Sequence, residues 1–148
     1  MIADILGRHP VVGFDTSPFI YHFEAHPDFA PLTTSILKTI QSGTCRGIVS
    51  DISLLEVLVL PLRQERQDIA DEYEVLLTNF PNLSLVPVSR ETILRGASIR
   101  ALSGLNTPDA LIVATAIEHG ATLVITNDQQ WKKVKGIEVV CLDDLLHG

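Results

Sequence analysis

The chain has 148 residues, 46% of them hydrophobic, and a formal charge of −7 at pH 7. This size and composition predict one folded domain over residues 1–148 and exclude a disordered chain. No apolar run approaches the roughly 20 residues of a membrane span. The polar N-terminus is unlike a secretory signal, so we expect a cytoplasmic protein with no membrane contact. The negative charge excludes diffuse attraction of the whole molecule to nucleic acid, so a polyanionic substrate requires a metal or a local basic patch.

Short apolar strands alternate with helices along the chain. After a lead-in over residues 1–9, strands are predicted at 11–14, 47–50, 83–86, 122–125 and 136–141. Helices are predicted from Ser17 to Phe23, over 32–42, from Ser50 or Asp51 to Leu60, over 63–80, from Ser89, over 107–119 and over 143–146. The strands lack two-residue alternation, which is typical of strands buried on both faces. The pattern therefore predicts a parallel sheet covered by helices on both sides.

Several details of these helices are specific enough to test. Ser17 before Pro18 and Thr107 before Pro108 are predicted to start helices, because proline suits the first helical position. Trp131 is predicted to pack in the core. The helix after Ser89 is predicted to turn its apolar residues inward, namely Ile93, Leu94, Ala97, Ala101 and Leu102.

Four carboxylates stand where such a fold would gather them. Asp15 follows the first strand and Asp128 follows the fourth, while Glu56 and Asp109 lie early in helices. The carboxyl ends of parallel strands share one edge of the sheet, so the four acids are expected to converge there. Packed carboxylates raise one another's pKa values, and a divalent cation relieves that repulsion. An all-oxygen ligand set suits Mg²⁺ or Mn²⁺.

Each acid also has a structural interpretation. Glu56 has the spacing of a capping box with Ser53, Asp109 suits a helix dipole, and Asp128 has the place of a cap for the turn from Gln129. Asp15 has no capping task if Ser17 starts the helix. Four such coincidences at the ends of the right elements favour a shared site.

The acidic motifs resemble those of the PIN domain family. The resemblance rests on D-T-S from Asp15, S-x-x-S-x-x-E ending at Glu56, P-D-A-L-I-V-A-T-A from Pro108 and T-N-D ending at Asp128. It covers nearly the whole chain and implies a three-layer α/β/α fold with a five-stranded parallel sheet of order 3-2-1-4-5. It also implies a metal-dependent endoribonuclease. Its metal-binding and catalytic acids would be Asp15, Glu56, Asp109 and Asp128, with Ser17 and Thr126 as polar residues that orient them.

Length and layout are similar to those of the VapC-type toxins of prokaryotic toxin–antitoxin pairs. The resemblance implies an RNA substrate, cleavage that leaves a 5′-phosphate, a protein antitoxin and a homodimer formed through the early helices. Two alternatives stay open: a PIN nuclease that is not a toxin, and a PIN-fold binding module without catalysis. Lys132 and Lys133 follow Asp128 closely and are candidate substrate contacts, although a solvated loop is the simpler explanation for them.

Other acidic or nucleotide-binding α/β folds fit less well. A response-regulator phosphoacceptor site needs adjacent acids after the first strand and a lysine after the last. A haloacid-dehalogenase-type phosphatase needs D-x-D where this chain has Asp15-Thr-Ser17. A Rossmann dinucleotide site needs a glycine-rich turn there, which is absent.

Overall fold

The five strands form one parallel sheet. The structure is a computed structural model that describes residues 1–147. Its strands are β1 (Val11–Phe14), β2 (Arg46–Ser50), β3 (Leu83–Val86), β4 (Leu123–Thr126) and β5 (Glu138–Cys141). They pair in parallel in the order β3-β2-β1-β4-β5, which confirms the predicted fold class and strand order. Every residue of β1 and β4 is buried, as expected of central strands covered on both faces.

Helices surround this sheet. They are α1 (Ile2–Leu6), α2 (Ser17–Phe23), α3 (Ala30–Gln41), α4 (Asp51–Arg63), α5 (Gln67–Asn79), α6 (Arg90–Ser103), α7 (Thr107–Glu118) and α8 (Leu142–His147), with a 3₁₀ turn at Gln129–Lys133. The lead-in is thus a short helix, and it buries Ile2 and Leu6 in the main core. Within residues 1–147, every helix is too short or too polar to cross a bilayer.

The helix predicted over residues 63–80 begins later, at Gln67, because α4 extends past Leu60 to Arg63. The backbone turns into the left-handed region at Glu65, with φ of 58°, between α4 and α5. Arg66 then forms an ion pair with Asp68 in the first turn of α5, with Nη2 and Oδ2 2.9 Å apart. The boundary between the two helices falls later than predicted because Pro61, a residue that commonly ends a helix, lies inside α4.

The prediction that the apolar residues of α6 turn inward was wrong. Ile93, Leu94 and Leu102 are 53%, 66% and 88% exposed, and the buried residues of α6 are Thr92 and Gly96. A Cβ added at Gly96 would lie 3.1 Å from Leu111 Cδ2, so α6 lies close against α7 through its small residues. The close contact between α6 and α7 therefore buries small residues of α6 and leaves its larger apolar side chains exposed.

α2 and α7 start at Ser17 and Thr107 as predicted, but their N-cap residues are Thr16 and Asn106. Asn106 caps α7 in place of Thr107, because its Oδ1 accepts a hydrogen bond from the Asp109 amide at 2.9 Å. Thr16 precedes α2 in place of Ser17, and it forms no capping side-chain bond there. The carboxylates of Asp15 and Asp109 are therefore not helix caps.

Packing around β1 brings the predicted site together. Phe14 is level with Ile125 in the sheet, and the Asp15 amide donates to the Ile125 carbonyl at 2.8 Å. Asp15 therefore leaves the sheet beside Thr126. A Cβ at Gly13 would lie only 2.4 Å from Ala116 Cβ, so α7 packs directly on β1. The central strand and α7 thus meet without an intervening side chain.

Candidate functional site

Asp15 lies at the centre of the acidic site and is the most deeply placed of its carboxylates. Asp15 is buried, with 8% of its surface exposed to solvent. Oδ1 accepts a hydrogen bond from the Thr16 amide at 2.7 Å, and Oδ2 accepts one from Thr126 Oγ1 at 2.7 Å. Both oxygens are therefore held by the protein, and the carboxylate has one defined orientation.

The T-N-D segment after β4 joins Asp15 to Asp128. Thr126 Oγ1, which donates to Asp15, also accepts a hydrogen bond from the Asp128 amide at 3.1 Å. Asp128 is partly buried, and its Oδ1 accepts a hydrogen bond from the Gln130 amide at 2.9 Å. Asp128 therefore caps the 3₁₀ turn, as its structural interpretation predicted, while standing at the same edge of the sheet as Asp15.

Glu56 is held by a residue that the sequence analysis overlooked. Thr16 Oγ1 lies 2.6 Å from Glu56 Oε1 and 2.9 Å from Ser53 Oγ. A hydroxyl has one proton and a carboxylate only accepts, so Thr16 donates to Glu56. Within residues 1–147, Glu56 forms no capping box with Ser53. D-T-S contains two adjacent hydroxyls, and only the helical backbone of Thr16 reveals which of them reaches Glu56.

Asp109 reaches the site from the first turn of α7. It is partly buried, and it stands near Trp131, which is fully buried as predicted. Burial raises the pKa of Asp109, and the nearby indole offsets part of that rise. The indole N–H itself forms no hydrogen bond of ordinary geometry with residues 1–147. Trp131 thus forms a buried wall beside Asp109.

The pKa values show that the four acids share one space. Burial raises the pKa of Asp15 from 3.8 to about 7, with smaller contributions from Asp109 and Glu56, against the lowering effect of Thr126 and Thr16. Burial also raises the pKa of Asp109, and Asp128 and Glu56 raise it further. Each acid is therefore close enough to at least one other to disfavour a second negative charge.

This donor set fits a hydrated divalent cation. Among residues 1–147, no three acidic, histidine or cysteine side chains close around a single point. Mg²⁺ commonly keeps several waters and takes only one or two carboxylates directly, so a looser ring of acids suits it. Ser17 Oγ supports this fit, because it is buried at the start of α2 and has no partner within the described chain. A polar atom of this kind needs a water or a ligand.

The candidate substrate contacts are not brought to the acids in the same way. Lys132 Nζ lies 2.6 Å from Asp144 Oδ2, and this ion pair holds it on α8. Lys133 borders a groove of about 710 Å³ between α6, the end of α7 and the segment after Trp131. Contact of Lys132 and Lys133 with substrate therefore stays a prediction. A smaller groove of about 250 Å³ borders Glu56 itself.

The pKa of Asp15 yields a testable dependence of stability on pH. The folded protein retains a proton that the unfolded chain loses above its ordinary pKa of 3.8. The stability contributed by this proton is present below that value and is lost as pH rises through about 7. In metal-free buffer, Asp15→Asn should therefore gain roughly 1–3 kcal/mol in free energy of unfolding over wild type between about pH 5 and about pH 8.

Urea titrations at several pH values measure this difference. Asp71→Asn is a suitable control, because Asp71 is exposed on α5 and bonds only to Gln67 of its own helix. Parallel stability curves for wild type and Asp15→Asn would contradict the elevated pKa.

Comparisons with known proteins identify the family and the fold. The sequence model of the PIN domain matches residues 13–137. The crystal structure of VapBC2 from Rickettsia felis, bound to a DNA fragment from their promoter, matches with a TM-score of 0.71 and 17% identity over 88% of this chain and 98% of that chain. A toxin–antitoxin complex from Klebsiella pneumoniae matches with a TM-score of 0.68 and 22% identity over 88% and 97% of the two chains.

A third match is FitAcB from Neisseria gonorrhoeae, with a TM-score of 0.67 and 17% identity over 88% of this chain and 97% of that chain. At these identities the likeness shows the fold alone. No curated protein sequence matches the chain significantly. The family match spans well over half of the chain and includes the positions of all four acids. The protein therefore belongs to the PIN domain family.

Proposed function

We propose that this protein is a metal-dependent endoribonuclease that acts in the cytoplasm as the toxin of a type II toxin–antitoxin pair. The observation that carries the proposal is the convergence of Asp15, Glu56, Asp109 and Asp128 at one edge of the sheet, where burial and mutual repulsion raise the pKa of Asp15 to about 7. Such perturbed acids are typical of functional sites. The structural neighbours named as toxin–antitoxin complexes support the toxin assignment.

The four acids are the proposed ligands of Mg²⁺ or Mn²⁺. When bound, such an ion supplies a Lewis acid that makes a water nucleophilic and offsets the negative charge of the phosphate. Ligand carboxylates must be ionised, so Asp15 has to lose its proton when the site is filled. Thr126 and the Thr16 amide hold the ionised form, because each donates to one of its oxygens.

The remaining acids have distinct proposed tasks. Glu56 is fixed by Thr16 and completes the ligand set from α4. Asp109 contributes a carboxylate from α7. Asp128 uses Oδ1 to cap the 3₁₀ turn, and Oδ2 takes part in no hydrogen bond within the described chain. We propose that Asp128 Oδ2 orients the attacking water and that Ser17 binds a water of the same shell.

RNA cleavage with purified protein tests this proposal. Wild type should cut single-stranded RNA with Mg²⁺ or Mn²⁺, leave 5′-phosphate ends and stop in EDTA. Asp15→Asn and Asp109→Asn should each reduce the rate by about 100-fold or more, because a neutral amide neither offsets nor holds the cation.

Asp71→Asn is again the control and should cut like wild type. Calorimetric titration with Mn²⁺ separates the alternatives. Metal binding without cleavage of a random-sequence RNA pool would favour a catalytically silent binding module. Folded wild-type protein that neither binds Mn²⁺ nor cuts RNA would contradict the proposed function.

We further propose that the antitoxin places a basic side chain against these acids. The groove that borders Glu56 lies between α2, α4 and α5, and Phe23 and Tyr73 stack in its wall with ring centroids 4.4 Å apart. Glu24 also lines this groove. Apolar walls beside two carboxylates suit an apolar segment that carries one arginine.

A short amphipathic peptide of leucines around one arginine probes this proposal. It should bind wild type, and Asp109→Asn should weaken both peptide and Mn²⁺ binding by at least about tenfold, or about 1.4 kcal/mol. Excess Mg²⁺ should compete with the peptide. The same peptide with glutamine for arginine is the control; unchanged peptide affinity in Asp109→Asn would refute the proposed contact.

We also propose a homodimer, with its interface on α6. The early helices were the expected surface, but the large apolar side chains of α2 and α3 are buried or partly buried. Exposed large apolar side chains lie on α4, at Leu55, Val59, Leu60 and Leu62, and on α6, at Ile93, Leu94 and Leu102. We choose α6 because Leu94 and Leu102, at 66% and 88%, are more exposed than any of those on α4. A two-fold contact would bury them against their own copies.

Sedimentation velocity tests this interface. Wild type should sediment as a dimer, and Leu94→Glu should sediment as a monomer, because a buried unpaired charge is costly at an interface. Leu62→Glu introduces the same charge on α4, where Leu62 is 46% exposed, and should leave the dimer intact. A monomeric wild type would rule out the homodimer.

A further inference from the structure

The middle residue of the T-N-D segment is anchored on two sides. Asn127 Nδ2 donates to Tyr21 Oη at 3.1 Å, and Asn127 Oδ1 accepts from the Asp143 amide at 2.8 Å. Its neighbours Thr126 and Asp128 carry the hydrogen bonds that orient Asp15 and cap the 3₁₀ turn. All three side chains of the segment therefore form hydrogen bonds. The two hydrogen bonds of Asn127 join the segment to residues outside the acidic site.

The chemistry at this position calls for an amide. The Asp143 N–H lies in the first turn of α8, where no intrahelical acceptor exists, so it requires an oxygen from outside the helix. Tyr21 offers its hydroxyl oxygen on the other side. The Asn127 amide supplies the acceptor and a donor without charge, whereas a carboxylate, which could accept from both groups, would add a negative charge beside Asp128.

Tyr21 is itself held in place. Its ring stacks on Phe29 with centroids 4.6 Å apart and meets the edge of His26 at 5.1 Å. It belongs to α2, the helix that starts directly after Asp15 and Thr16. The two sides of the cleft are thus joined twice: by Asp15 to Thr126 inside the site, and by Tyr21 to Asn127 outside it.

We infer that Asn127 and Tyr21 are positioning residues: their hydrogen bond fixes the register of the T-N-D segment, so that Thr126 and Asp128 face Asp15 in the arrangement that binds metal. This inference rests on the proposed function and extends it to two residues outside the acidic set. Both act through Thr126 and Asp128 and neither touches the proposed cation. Loss of the link should loosen the segment without unfolding the domain.

Tyr21→Phe and Asn127→Ala test the link. Tyr21→Phe removes one oxygen and keeps the aromatic stack. Each variant should bind Mn²⁺ about tenfold more weakly, as is typical when the partners of metal ligands are lost. The kcat for RNA should fall with little change in KM, because neither residue is a candidate substrate contact. The variant that carries both Tyr21→Phe and Asn127→Ala should match Asn127→Ala in Mn²⁺ affinity, because both substitutions remove the same hydrogen bond.

Asn79→Ala is the matched control, because within residues 1–147 the Asn79 side-chain amide bonds only to the Val75 carbonyl, on the exposed face of α5. Amide hydrogen exchange of Asp128 and Gln130 in metal-free protein gives an independent readout. Exchange should be faster in both test variants at an unchanged melting temperature for Tyr21→Phe.

Exchange rates and Mn²⁺ affinity equal to those of Asn79→Ala would overturn the inference. A loss of melting temperature with normal Mn²⁺ affinity would also overturn it, because it would mark a purely structural role. If wild type binds no Mn²⁺, the proposed function fails, and the exchange rates alone decide whether Tyr21 and Asn127 fix the segment.

Discussion

The burial of Asp15 at the end of the central strand is the constraint on which the site depends. A carboxylate placed there, beside Asp109 and Glu56, resists ionisation and has its pKa raised to about 7. The fold offsets part of this cost with the hydrogen bonds from Thr126 and the Thr16 amide. A bound cation would offset the rest of the cost of ionising Asp15, and binding to the folded state would stabilise the fold. Stability and metal affinity are therefore coupled through one side chain.

The sheet topology explains why the acids gather at this place. β1 lies between β2 and β4, and the chain leaves β1 and β4 at the same edge. Ligands of parallel sheets bind where neighbouring connections diverge at that edge. Gly13 and Ala116 bring α7 directly onto β1, and Ser50 caps α4 at the end of β2. Asp109 therefore lies on a helix that packs against β1, and Glu56 lies on a helix that starts at the end of β2.

The strands and the acidic positions could be predicted from the sequence, because short apolar runs and acids at strand ends are local signals. The strand order followed from the resemblance to the PIN domain. The orientation of α6 could not. Its apolar residues have helical spacing, but Gly96 allows α7 so close that the small face turns inward. The partner of Glu56 was likewise hidden, since Thr16 and Ser17 are adjacent hydroxyls that only the backbone at the start of α2 distinguishes. The link of Tyr21 to Asn127 joins residues far apart in sequence, and a single sequence carries no signal for it.

Crystals grown with Mn²⁺ and measured at a wavelength that gives anomalous scattering from manganese would show whether the four acids bind a divalent cation. We expect an anomalous peak between Asp15, Glu56, Asp109 and Asp128, with waters completing the coordination. The peak should be lost in crystals of Asp15→Asn. A fully ordered acidic site without a peak in wild type, or a peak elsewhere on the molecule alone, would contradict this expectation.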